Sequence, residues 1–199
     1  MPYVPRRRVS QSQWEAANYT GKVFYQAMLR SPHAEAFFAS DIRARLMRGL
    51  WMLSGDAPPG ARWQPVSDPG VPAIAPAVPD GLPPWLTDAD LDYLEAEFRH
   101  SGFTGGLNYY RNCDRNWELT PFLDGARISQ PALFVAGEKD PVLDFLADEF
   151  AALEQNVPRL VAKTLIPRAG PWIQQERPEE VNRLLIEFFQ KHKTIAPSR

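Results

Sequence analysis

Between Asp56 and Pro84 the chain carries nine prolines. No helix interior and no central strand tolerates that density, because each proline removes an N–H donor and locks one backbone torsion. The stretch is expected to be an irregular loop, and loops of this length usually serve as lids or coverings. It splits the chain into helical segments on either side and a final segment of different character.

Residues 1–20 open with Pro2, Pro5 and the cluster Arg6-Arg7-Arg8, before any periodic segment, and read as a connection. From Ala34 to Leu53, Phe38, Ile42, Leu46, Leu50 and Leu53 recur at spacings of four and three, which predicts one helix with an apolar stripe. After the loop, Thr87 is a candidate N-cap, with Asp88 and Asp90 in the first turn. Leu91, Leu94 and Phe98 make the inner face of that helix, and Gly102 stands just past its end. A further helix is expected from about Leu107.

Beyond Pro131 the pattern changes. Ala132–Ala136 is a short apolar run between turn signals, read as a buried parallel strand. Val142–Leu153 reads as a helix and Leu160–Ile166 as a second strand. Pro178 opens a last helix with Val181, Leu184, Leu185 and Phe188 inward. Strand, helix, strand, helix is the alternation of α/β architecture.

Composition narrows the function classes. Apolar residues make up 44% of the 199 residues, enough for a sizeable core, and the net charge of −2 gives no reason to expect a nucleic-acid partner. One cysteine, Cys113, permits no internal disulfide and suits a reducing, cytoplasmic setting. No apolar run reaches bilayer-spanning length and no signal-peptide core is evident, so no membrane partner is expected. No metal cluster and no cofactor motif stands out.

The segment from Ser101 to Leu119 packs three Gly, two Tyr, three Asn, two Arg and a Trp into one run. It closely resembles the segment of epoxide hydrolases, in the α/β-hydrolase superfamily, that holds one of two cap-domain tyrosines. That tyrosine precedes an Arg-Asn pair, which places it at Tyr110. Val23-Phe24-Tyr25-Gln26, Ser31-Pro32 and Ala34-Glu35-Ala36 resemble the stretch with the first cap tyrosine, which maps to Tyr25. Leu53–Pro58 and Leu82–Leu86 are also similar to the cap. The resemblance implies a helical cap over residues 1–119, with the Pro-rich loop at 56–84. It implies the C-terminal part of the core over 120–199: an incomplete α/β-hydrolase fold with the last two strand–helix units of the sheet.

In that family two phenols aimed at the epoxide oxygen stabilise the alkoxide as it develops, and one can deliver a proton. Without the resemblance, Tyr25 and Tyr110 would read as buried aromatics with satisfied hydroxyls. Ala136–Val142 resembles the turn with the acid of the catalytic triad, here Asp140. Read from the residues alone, Asp140 is a helix N-cap ahead of Pro141, and both roles are compatible.

Two departures matter. Ala169–Asn182 matches the family's terminal motif, but Pro171 occupies the place of the catalytic histidine. His33, His100 and His192 stand elsewhere in the sequence. The strands with the nucleophilic aspartate and the His-Gly-X-Pro motif have no counterpart here. In the two-step mechanism that aspartate attacks the epoxide carbon to form an ester, which water activated by the His–Asp pair then cleaves. The expectation is an epoxide hydrolase-like protein, inactive alone, with a small hydrophobic epoxide as substrate. Its partner is expected to be a separate N-terminal half or a second copy meeting it through an open sheet edge. The alternative is a non-catalytic fragment that binds a hydrophobic ligand or a partner chain. A haloalkane dehalogenase is a weaker third option, since a halide site favours Trp or Asn donors.

Overall fold

The computed structural model of the chain describes residues 1–71 and 81–193. The middle of the Pro-rich loop, expected to lack regular structure, lies outside the described residues. The described residues form two units. One comprises Pro5–Leu53 and Ala57–Ala126; the other comprises Met1–Val4, Ser54–Asp56 and the chain from Arg127 onward.

The first unit is helical: α1 (Gln11–Asn18), α2 (Tyr25–Arg30), α3 (Ala34–Ala39), α4 (Ile42–Leu53), α5 (Asp88–Ser101), α6 (Thr104–Arg111) and α7 (Cys113–Leu119). Two short strands, β1 (Val23–Phe24) and β2 (Val66–Ser67), pair antiparallel. The region of residues 1–20, expected to be a connection, holds α1. Its start is a capping box: Ser10 Oγ accepts from the Gln13 amide, and Gln13 Oε1 accepts from the Ser10 amide. The start of the Pro-rich loop is also more ordered than expected, with a 3₁₀ turn at Pro59–Ala61 and β2 held between Pro65 and Pro69.

The single helix expected over Ala34–Leu53 is two. Ser40 ends α3, and Asp41 Oδ1 accepts from the Ala44 amide at 3.1 Å, a side-chain cap that starts α4. The apolar stripe survives across the break: Phe38 stacks on Phe103, as does Phe98 of α5. The α5 boundaries are as expected. Thr87 and Asp90 form a capping box, and Gly102 takes the left-handed φ of 68° that ends the helix. The next helix begins at Thr104, a turn ahead of Leu107, and Asn112 separates it from α7.

The second unit is α/β. Strands β3 (Ala132–Gly137) and β4 (Leu160–Ile166) pair in parallel, from Ala132 opposite Leu160 to Gly137 opposite Ile166, with an irregularity after Ala132. The crossover between them is helical, as parallel pairing requires. In place of one helix over Val142–Leu153 it has three: α8 (Pro141–Phe145), α9 (Ala147–Ala151) and α10 (Leu153–Asn156). The interruptions fall at Leu146 and Ala152, whose ψ of 40° and 6° depart from helical values. Leu143, Leu153 and Val157 pack on Phe134 and Ala136, one face of β3.

The other face of β3 packs on the end of the chain. Val135 meets a cluster of Ile166, Ala169, Ile173 and Val181, contributed in part by α11 (Ile173–Glu176) and α12 (Pro178–Lys191). Leu185, expected inward, is exposed. Val181, Leu184 and Phe188 follow the helical repeat and make the inner stripe, and Leu185, one residue past Leu184, is rotated off it. Among the described residues no helix is long and apolar enough to cross a membrane.

Burial predicts where the helical unit is sensitive. Leu91 is 1% exposed and Tyr93, on the same helix, 65%. Leu91→Ala is expected to cost about 2–5 kcal/mol in urea unfolding, and Tyr93→Ala about 0.5 kcal/mol or less. Equal effects would contradict this packing of α5.

Candidate functional site

Tyr25 opens α2 directly after β1. Its amide donates to Pro65 O at 2.9 Å, so the two-residue β1–β2 pair fixes where the helix begins. Phe24 is buried and stacks on Tyr19, with the Trp14 ring edge-on. Tyr25 then meets Phe24 and Trp63 edge-to-face at 4.7 and 4.9 Å. These contacts fill the space around the ring and leave it little freedom.

Tyr110 lies on α6, which packs against α2. The two tyrosine rings meet edge-to-face with centroids 6.1 Å apart. The two phenols singled out in distant sequence motifs therefore lie side by side. Burial raises the pKa of Tyr25; a hydrogen bond from Gln26 opposes this, and the nearby Tyr110 adds to it. Burial likewise raises that of Tyr110. Both are thus neutral donors at physiological pH, the state in which a phenol can give a hydrogen bond to a ligand oxygen.

Polar ties hold α2 and α6 in place. Arg111, the residue after Tyr110, makes a two-pronged ion pair with Glu35, and its Nη2 also donates to Ser31 O, at the end of α2, at 3.2 Å. The planar guanidinium thereby joins α6 to both α2 and α3. At the other side Arg30 of α2 makes a two-pronged ion pair with Glu15 of α1, a buried carboxylate. Cys113 is half-buried, and its thiol donates to Tyr109 O.

Asp140 belongs to the α/β unit. It is 5% exposed, and its Oδ1 accepts from the Val142 amide at 2.9 Å, capping α8. Burial pushes its carboxyl above the usual carboxylate range, and the Val142 hydrogen bond partly offsets this. Pro171 follows a tightly packed loop. A side chain at Gly55 would stand 2.1 Å from Arg168 O, and one at Gly137 would stand 2.1 Å from Gly170 O. Only glycine permits backbones to approach so closely. Arg168 itself takes the left-handed φ of 60°.

Glu176 was not singled out by sequence. It is 5% exposed, and its carboxylate accepts from the amides of Gly55 (3.0 Å) and Gly170 (3.1 Å). Lys139 ties the same segment, donating from Nζ to Gly55 O at 2.8 Å and from its amide to Ala169 O at 2.9 Å. Asp140 and Pro171 are thus each one residue from this knot. Of the three histidines, His33 precedes α3, His100 lies near the end of α5, and His192 ends α12 against Phe188. Among the described residues no group of three or more His, Cys, Asp or Glu side chains is arranged to hold a metal ion.

The Glu35–Arg111 tie gives a pH test. Arg111 holds the Glu35 carboxyl down to about 2, from an ordinary 4.5. A depressed carboxyl stabilises the fold above its unfolded pKa and loses that contribution as pH falls through the folded one. Glu35→Gln is therefore expected to lower the Tm at pH 6–7, with the difference from wild type shrinking below about pH 4.5 and vanishing near pH 2. A difference that is constant with pH would show that the ion pair contributes nothing.

No family model matches the chain. Epoxide hydrolase A of Mycobacterium tuberculosis is 41% identical over 194 residues, spanning 95% of this chain and 59% of that protein. Epoxide hydrolase 3 of Siraitia grosvenorii is 37% identical over 176 residues, 86% of this chain and 54% of that protein. Among solved structures, an epoxide hydrolase from an endophytic Streptomyces superimposes with a TM-score of 0.86 at 38% identity, over 96% of this chain and 58% of that one. Epoxide hydrolase A from Mycobacterium thermoresistibile gives a TM-score of 0.83 at 39% identity. The chain thus spans somewhat more than half the length of these relatives. Its relatives in sequence and in fold are epoxide hydrolases of the α/β-hydrolase superfamily, and its helical unit and small parallel sheet are consistent with part of that fold.

Proposed function

We propose that this chain is the epoxide-binding portion of an epoxide hydrolase, in which Tyr25 and Tyr110 together polarise the ring oxygen of a small hydrophobic epoxide. The observation that supports this most is the meeting of the two phenols, 6.1 Å ring to ring, each neutral and half-buried. When a nucleophile takes the ring carbon, the C–O bond breaks and charge gathers on oxygen. Two fixed donors lower the energy of that charge, and one of them supplies the proton that completes the alcohol.

The rest of the cycle needs groups beyond the tyrosines. The attacking aspartate has no counterpart among these residues, so it must come from further polypeptide, continuous with this chain or separate from it. Its ester would be cleaved by water activated by a histidine paired with an acid. Asp140 stands in the acid's place and Pro171 in the histidine's. Proline has no titratable group, so a hydrolase assembled around this chain is proposed to stall at the ester. A cytoplasmic setting suits the lone cysteine.

A second reading is a non-catalytic binder of a partner chain. The observation favouring it is the apolar side of α12, where Ile186 and Phe189 are exposed, Phe189 at 62%.

Diol formation from styrene oxide separates the readings. The chain alone is expected to form none. Combined with a relative's aspartate-bearing half, it is expected to accumulate protein plus one substrate mass, and Pro171→His in that assembly to convert trapping into turnover. Turnover by the chain alone that disappears on Tyr110→Phe would contradict the proposal. So would equal turnover by the assemblies with proline and with histidine.

A further inference from the structure

Gln26 follows Tyr25 at the start of α2. Its Nε2 donates to the Tyr25 hydroxyl oxygen at 3.1 Å, while its Oε1 is buried without a hydrogen-bond partner among the described residues. A phenol has one proton to give and an oxygen that can accept. If the carbonyl end of the amide faced Tyr25, the phenolic proton would be spent on Gln26. With the amino end there, the oxygen is occupied and the proton is left for something else.

We propose that Gln26 is a positioning residue for the tyrosine pair: by donating to the Tyr25 oxygen, it keeps the Tyr25 proton free for the ligand oxygen that Tyr110 also addresses. The proposal rests on the reading of Tyr25 and Tyr110 as an oxygen-binding pair. It adds an orienting group to that site and makes the two phenols unequal, since no side chain among the described residues donates in this way to Tyr110. The titratable groups that act on Tyr25 are Tyr110, Cys113 and Glu15, and none of them donates a hydrogen bond to its hydroxyl. Gln26 is therefore the side chain on which the direction of the Tyr25 proton depends.

Two substitutions separate polarity from shape. Gln26→Glu keeps the outline of the side chain, but a carboxylate only accepts, so it draws the Tyr25 proton inward. Gln26→Leu removes both donor and acceptor. In the full chain labelled at tyrosine ¹³Cζ, with the Tyr25 resonance assigned by Tyr25→Phe, Tyr25 is expected to titrate about 1 pH unit higher in Gln26→Glu and about half as much higher in Gln26→Leu. Tyr110 is expected to move less. Styrene oxide is expected to shift both resonances in the wild-type chain and only that of Tyr110 in Gln26→Glu. A Tyr25 titration unchanged in Gln26→Glu, in a protein with wild-type circular dichroism, would overturn the proposal. If styrene oxide shifted neither tyrosine of the wild-type chain while both Gln26 variants still moved the Tyr25 titration, the epoxide reading would fall and the orienting bond would stand.

Discussion

The docking of α2 against α6 is the constraint on which the candidate site depends. Each helix is too short to hold its shape alone, since α2 has six residues and α6 eight. Their positions come from outside: the β1–β2 pair that sets the start of α2, the aromatic packing around Tyr25, and the Arg111 guanidinium that joins Glu35 to Ser31 O. The ion pair supplies direction. Lysine at position 111 would keep the charge and lose the two-pronged geometry.

The α/β unit follows a different logic. Its site residues sit beside a place where three stretches of backbone approach too closely for any side chain. Gly55 and Gly137 each pack directly on the Arg168–Gly170 turn, and Glu176 accepts from the amides of Gly55 and Gly170 that this packing would otherwise leave unmatched. A buried carboxylate that accepts from backbone amides is tolerable because those bonds replace its hydration. The loop leading to position 171 is therefore held firmly although the residue there is proline.

Much of this was legible in the sequence where a local rule acts alone. Thr87 and Asp90, Gly102, Pro178 and the β4 boundaries follow from capping, left-handed glycine, proline at a helix start and short apolar runs. The break between α3 and α4 was also written there, in Ser40-Asp41, but a continuous apolar stripe concealed it. Helix α1 is hard to read from sequence because Ser10 and Gln13 give a start signal without a strong apolar face behind it. The interruptions at Leu146 and Ala152 have no glycine or proline to mark them. In the site, motif resemblance pointed to both tyrosines. It gave no role to Gln26 or Glu176, although both lie within its motifs, because a hydrogen bond to a neighbouring phenol and a bond to two distant amides leave no spacing to read.

The central claim is that two phenols from separate helices address one epoxide oxygen. It is tested most directly by a structure of the chain with styrene oxide bound. The account predicts the epoxide oxygen within about 2.6–3.2 Å of the hydroxyls of both Tyr25 and Tyr110. An epoxide bound away from this pair, or held with its oxygen turned from both hydroxyls, would contradict it.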